Sequence, residues 1–156
     1  MRDFIASYEG LLLDTGLLLL LTVGFDSPEK ISKFKRTQNF STQDYDALLL
    51  ITDASKKLIT TPNVLTEASN ILFPDFYPAL AILTAKFEEC YLPSLEVMQY
   101  DVKSYHKFGL TDTVLKKLAK DNILILTIDA PFYHYASSLG LPVELFNHII
   151  AYYQIL

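Results

Sequence analysis

Residues 122–127, NILILT, form a short apolar run with no polar alternation. Such a run is too short for a buried helix and reads as a strand covered on both faces, the environment of a parallel sheet. Parallel strands need crossovers, usually helical, so this one stretch asks for alternating strands and helices elsewhere. The chain supplies them. Residues 10–14 make a first strand and the leucines after it a helix. Ser27-Pro28-Glu29 opens a second helix, with Ser27 as cap and Pro28 in the first turn. Ser41 caps a third, in which Tyr45, Leu48, Leu49 and Thr52 recur at helical spacing. Residues 58–60 are a short strand, Thr61-Pro62 starts a fourth helix, and 77–91 form a fifth. Residues 94–108 show no assignable pattern. Thr111 caps a helix through Lys120, 131–139 form another that Gly140 stops, and 142–146 make a last strand. The expected fold is α/β: three layers, α/β/α, around a central, mostly parallel sheet.

The bulk properties fit one domain. At 156 residues the chain is long enough for one core and too short to expect two, with residues 1–9 as a short N-terminal extension. Only five glycines are present, which disfavours a barrel or sandwich rich in tight turns. The net charge of −5 does not advertise nucleic-acid binding, although a local basic stripe acts inside an acidic protein too. Cys90, the single cysteine, rules out an internal disulfide and points to a reducing compartment. With His106, His134 and His148 it gives no zinc-ligand spacing. The uninterrupted apolar part of the leucine stretch, Leu17 to Leu21, is far below the roughly 18 residues of a membrane span. Asp3, Glu9 and Asp14 spoil a signal-peptide profile. A cytoplasmic chain without a membrane partner is the expectation.

Within this frame four carboxylates occupy unusual places. Asp14 closes the first strand inside LLLDTGLLLLLTV, where an unpaired charge is costly. Asp129 follows the NILILT strand by two residues. In open parallel sheets ligands sit beyond the carboxyl ends of the strands, which makes both acids candidates for one site. Glu67 borders the apolar helical stripe of Val64, Leu65, Ala68, Ile71 and Leu72, and Asp112 borders that of Val114, Leu115, Leu118 and Ala119. Three also have an ordinary use: Asp112 serves the helix dipole, Glu67 is a boundary residue and Asp129 a helix cap; Asp14, a strand-end acid flanked by leucines, has few structural uses. Clustered carboxylates repel one another unless cations hold them, and hard oxygen ligands suit Mg²⁺ or Mn²⁺.

The blocks LLLDTGLLLLL, TTPNVLTEASNIL, FGLTDTVLKKLA and ILTIDAPFYHYASSLGLPVELFN, in this order and spacing, resemble a PIN domain from about Leu11 to Asn147. The resemblance implies a metal-dependent ribonuclease in which Asp14, Glu67, Asp112 and Asp129 form the acidic site. Thr127 matches the polar residue usual before the last acid, and Ser69 and Asn70 match one branch of the family. Gly16 departs from the pattern, since many members carry Asn or Ser two residues after the first acid. The implied chemistry is Mg²⁺- or Mn²⁺-assisted hydrolysis of phosphodiesters in single-stranded RNA. Small members are often toxins held by an antitoxin, and often homo-oligomers.

For the RNA backbone, Lys30, Lys33, Lys35 and Arg36 in EKISKFKR are the better contacts; Lys116, Lys117 and Lys120 read equally well as a solvated helix face. Phe132, Tyr133 and Tyr135 sit near Asp129 as candidates for stacking on bases, although with 20 Tyr and Phe in the chain most must be core. Other readings fail on the residues. Asp-Thr-Gly is also an aspartic-protease motif, but that fold is glycine-rich and all-β. Gly16 removes the second acid of an Asp-x-Asp phosphatase, a receiver domain wants an acidic pair, and no GxxxxGK[ST] loop exists. A non-catalytic PIN-like interaction module is the alternative that survives.

Overall fold

The computed structural model describes residues 1–119 and 122–153. The chain runs α1 (Arg2–Ala6), β1 (Gly10–Leu13), α2 (Thr15–Asp26), α3 (Thr42–Asp53), β2 (Leu58–Thr60), α4 (Pro62–Ile71), α5 (Tyr77–Thr84), β3 (Glu88–Glu89), α6 (Ser94–Tyr100), α7 (Val102–Ala119), β4 (Ile123–Thr127), α8 (Ala130–Ser138), β5 (Val143–Leu145) and α9 (Phe146–Tyr153). The five strands form one all-parallel sheet in the order β3-β2-β1-β4-β5, within a three-layer α/β/α fold.

Position in the sheet explains the strand sequences. β1 and β4 lie side by side, with Leu11 opposite Leu124 and Leu13 opposite Leu126, and every residue of both is buried. The edge strand β3 is Glu88-Glu89, exposed and charged, a composition that discourages pairing with another chain. α2 is apolar on all sides because it is covered on all sides. Its residues 17–24 are buried against β1 and β4 on the sheet and against α3, α4 and α5. The helix starts are written into the sequence. Ser41 and Asp44 close a reciprocal capping box on α3, and the Thr61 hydroxyl accepts from the Val64 amide ahead of Pro62.

Several elements depart from expectation, each for a local reason. Ser27-Pro28 opens only a 3₁₀ turn, Pro28–Lys30, and Ser27 makes no side-chain cap bond. The Thr37 hydroxyl donates instead to the carbonyls of Ile31 (2.8 Å) and Phe34, bonds that compete with a helix. The fifth helix ends at Thr84, and the chain turns into β3 rather than continuing to 91. Residues 94–108, unassigned from sequence, hold α6 and the first half of α7. The helix expected from Thr111 is the second half of α7, which starts after the break at Gly109, so Thr111 sits in its first turn rather than at its cap. Lys120 lies outside the described residues. The last strand is shorter than 142–146, because Phe146 already begins α9. The segment ahead of β1 is docked. Ile5 is 1 % exposed in the main core, and Phe4 packs its ring on Tyr153 of α9. Among the described residues no helix is long and apolar enough to cross a membrane.

Candidate functional site

β1 and β4 end side by side, and their C-terminal ends place Asp14 and Asp129 at the mouth of one cleft of about 270 Å³. Glu67 reaches it from α4 and Asp112 from α7. All four sequence-derived acids therefore converge, from four different segments. Thr15, Gly16, Phe108, Thr111 and Ile128 complete the described lining, which contains no Lys, Arg or His.

Asp14 is 8 % exposed and heavily committed. Its Oδ1 accepts from the Leu17 amide (2.8 Å), capping α2, while Oδ2 accepts from the Thr127 hydroxyl (2.6 Å) and the Ile128 amide (2.7 Å). Burial pushes its pKa up, against the pull of these donors. The acid at the strand end thus has a structural use that the sequence alone did not disclose: it ties β1, α2 and the β4–α8 turn together. Thr127 serves both acids, since its Oγ1 also accepts from the Asp129 amide (2.9 Å). Asp129 caps α8, its Oδ1 accepting from the Phe132 amide (2.8 Å). Glu67 Oε2 accepts from the Thr15 hydroxyl (2.6 Å).

Asp112 differs from the other three. No hydrogen bond from the described residues reaches its carboxylate. Burial, followed by the charges of Asp129, Asp14 and Glu67, pushes its pKa up to about 7. A cation is what this electrostatics lacks. The nearest on the same helix is Lys116, one turn beyond Asp112, but it is turned away. Lys116 pairs with Asp101 and donates to Ser104 Oγ (3.0 Å) and Tyr135 OH (3.0 Å), and Ser104 donates to Asp101 (2.8 Å). Although burial opposes it, this network holds the Asp101 carboxyl at about 2. Lys116 is buried, not a solvated cation; Lys117 stands 3.9 Å from Glu96.

The donor set is hard oxygen throughout and fits a divalent cation. In the present rotamers, however, no three Asp, Glu, His or Cys side chains among the described residues stand in ligating geometry. Asp112, the Oδ2 of Asp129 and the Oε1 of Glu67 carry no hydrogen bond from the described residues, and Asp14 Oδ1 carries one. Those are the oxygens with ligating capacity to spare.

Other expected residues fall elsewhere. Asn70 is exposed on α4 and does not line the cleft. Lys33, Lys35 and Arg36 are exposed in the turns that follow the C-terminal end of α2. The cleft sits at the N-terminal end of that 12-residue helix, which is about 18 Å long. Lys30 pairs with Asp26 (2.6 Å). Phe132 is core, and the Tyr135 hydroxyl is held by Ser104 and Lys116. The aromatic wall of the cleft is Phe108, which sequence reading passed over. Gly109, at φ 84°, aims it there.

Gly16 has a physical reason. A Cβ on it would lie 2.5 Å from Ile128 Cδ1, so Ile128 fills the place where a residue-16 side chain would stand. No family model, curated protein or solved structure matches this chain significantly.

Proposed function

We propose that this chain is a PIN-type, Mg²⁺- or Mn²⁺-dependent endoribonuclease that cuts single-stranded RNA. The observation that carries the reading is the convergence of Asp14, Glu67, Asp112 and Asp129 on one cleft without a cationic side chain in its described lining. Glu67, Asp112 and Asp129 would hold the ion, with Asp14 offering the spare lone pair of Oδ1. When bound, such an ion supplies Lewis-acid activation of water and charge neutralisation during in-line attack at phosphorus. Thr15 fixes the orientation of Glu67, and Thr127 fixes Asp14 and the start of α8. Phe108 offers a ring at the rim on which a base stacks. Lys33, Lys35 and Arg36 then contact the RNA backbone away from the scissile bond. Toxin function, an antitoxin partner, homo-oligomerisation and a cytoplasmic location rest on the PIN resemblance; an adjacent reading frame for a short antitoxin-like chain tests the first two.

A second reading, a PIN-like module that binds protein without cutting RNA, is favoured by the hydrogen bonds that occupy Asp14 and by Ile128 packed over Gly16. One assay separates the two. Single-stranded RNA incubated with Mn²⁺ is expected to be cut by the wild type. Asp112→Asn and Asp129→Asn each should lose at least about 10²-fold in rate, beyond the usual cost of an outer-sphere contact. Intact RNA with both metals, alongside tight capture of a protein partner, establishes the module instead.

A further inference from the structure

At the edge of the sheet remote from β3, a second cavity of about 320 Å³ opens between α1, β5 and α9. Its described walls are Phe4, Ile149, Tyr152 and Tyr153, with Glu144 and His148 as the ionisable groups. The rings are arranged around the space rather than stacked flat. Tyr152 and Tyr153 meet edge to face with centroids 4.8 Å apart, and Phe4 lies 6.1 Å from Tyr153 at a tilt of 37°. Glu144 is half-buried, and no hydrogen bond or ion pair from the described residues reaches its carboxylate. Burial accordingly pushes its pKa up, with His148 pulling the other way.

This combination selects a ligand by elimination. An apolar ligand would leave the carboxylate desolvated and unpaired. An anion would be repelled by it. Among the described residues a metal ion would find one carboxylate and rings where it needs several oxygens. A positively charged group with apolar flanks satisfies both features: it pairs with Glu144 and lies against ring faces, whose quadrupole attracts cations. We propose that the α1–β5–α9 cavity is a binding site for an organic cation, an alkylammonium or guanidinium group. This site is separate from the acidic cleft and independent of the nuclease reading.

The test is a titration of the ¹³C,¹H ring signals of Phe4, Tyr152 and Tyr153. The probes are n-propylguanidinium, a free monocation, and acetyl-Gly-Arg-Gly-amide, the same group on a peptide. Saturable shifts of these rings are expected with at least one probe. Glu144→Gln and Tyr152→Ala should each weaken binding by about tenfold, the scale of one lost ion pair or one cation–ring contact. Tyr152 is 80 % exposed, so its removal spares the core and keeps the test valid should the Glu144 variant misfold. Tighter binding of the peptide assigns the site to a side chain of a protein partner; equal or weaker binding of the peptide assigns it to a free organic cation. The proposal is overturned by no saturable shift with either probe, by undiminished binding in Glu144→Gln, or by shifts confined to Phe108 and the acidic cleft.

Discussion

Asp112 is where burial and the repulsion of three neighbouring carboxylates are left without a compensating partner. Its pKa stands at about 7 in the fold, against about 3.9 for an aspartate in an unfolded chain. Between those values the folded chain holds a proton that the unfolded chain has released, so this group's contribution to stability falls as pH rises from about 4 to 7. Asp112→Asn removes that loss. The variant is expected to be more stable than wild type at pH 8 by about 1–3 kcal/mol, with a smaller gain at pH 5, by urea unfolding at the two pH values. A variant less stable than wild type at pH 8 would mean that the carboxylate is held by something other than repulsion. Gly16 gives a second check at this scale. Gly16→Ser must displace only the tip of the Ile128 side chain, which is 42 % exposed and free to turn away. In the same assay it is expected to cost about 0.5 kcal/mol or less, the usual range for a surface change.

At the level of elements, α7 decides whether the cleft exists. Its two halves meet at Gly109, where φ of 84° is a conformation other residues rarely adopt. The turn throws Phe108 and Asp112 to the same cleft. Asp101, Ser104, Lys116 and Tyr135 brace the joint from behind, linking the start of α7 to its second half and to α8. Lys116→Met is expected to lower stability by about 1.5–3 kcal/mol at pH 7, the range for hydrogen bonds to a charged group. The sign with pH follows from Asp101. Its carboxyl is held at about 2, below the unfolded value, so the brace contributes fully above about pH 4 and is lost as pH falls towards 2. The gap between Lys116→Met and wild type should therefore close across that window, measured by acid and urea unfolding. Sequence reading missed this arrangement for a clear reason. Residues 94–108 have no clean periodicity because the chain changes direction at Asp101 and again at Gly109, and one glycine does not announce its φ. The lysine looked like surface because its partner lies 15 positions earlier, on the far side of the first bend.

For the molecule as a whole, the sheet and the acids were legible because they depend on short-range pattern. The runs at 10–14 and 122–127 declare buried parallel strands. The acids are conspicuous because each stands where an apolar stripe or strand ends. The environment around them was not legible. Phe108, Ile128 and Thr15 reach the cleft only through the packing of segments distant in sequence, and the helix that Ser27-Pro28 promised is undone by hydroxyl bonds from Thr37. On the proposed nuclease reading, a chain of net charge −5 would meet RNA through a divalent cation held by the acid cluster, not through a basic surface, at the cut site. That claim is tested most directly by titrating the protein with Mn²⁺ while following the electron paramagnetic signal of the free ion. Saturable binding by the wild type is expected, abolished in Asp112→Asn and Asp129→Asn with the fold retained. A wild-type chain that takes up no Mn²⁺, or variants that bind it equally well, would contradict a shared cation in this cleft.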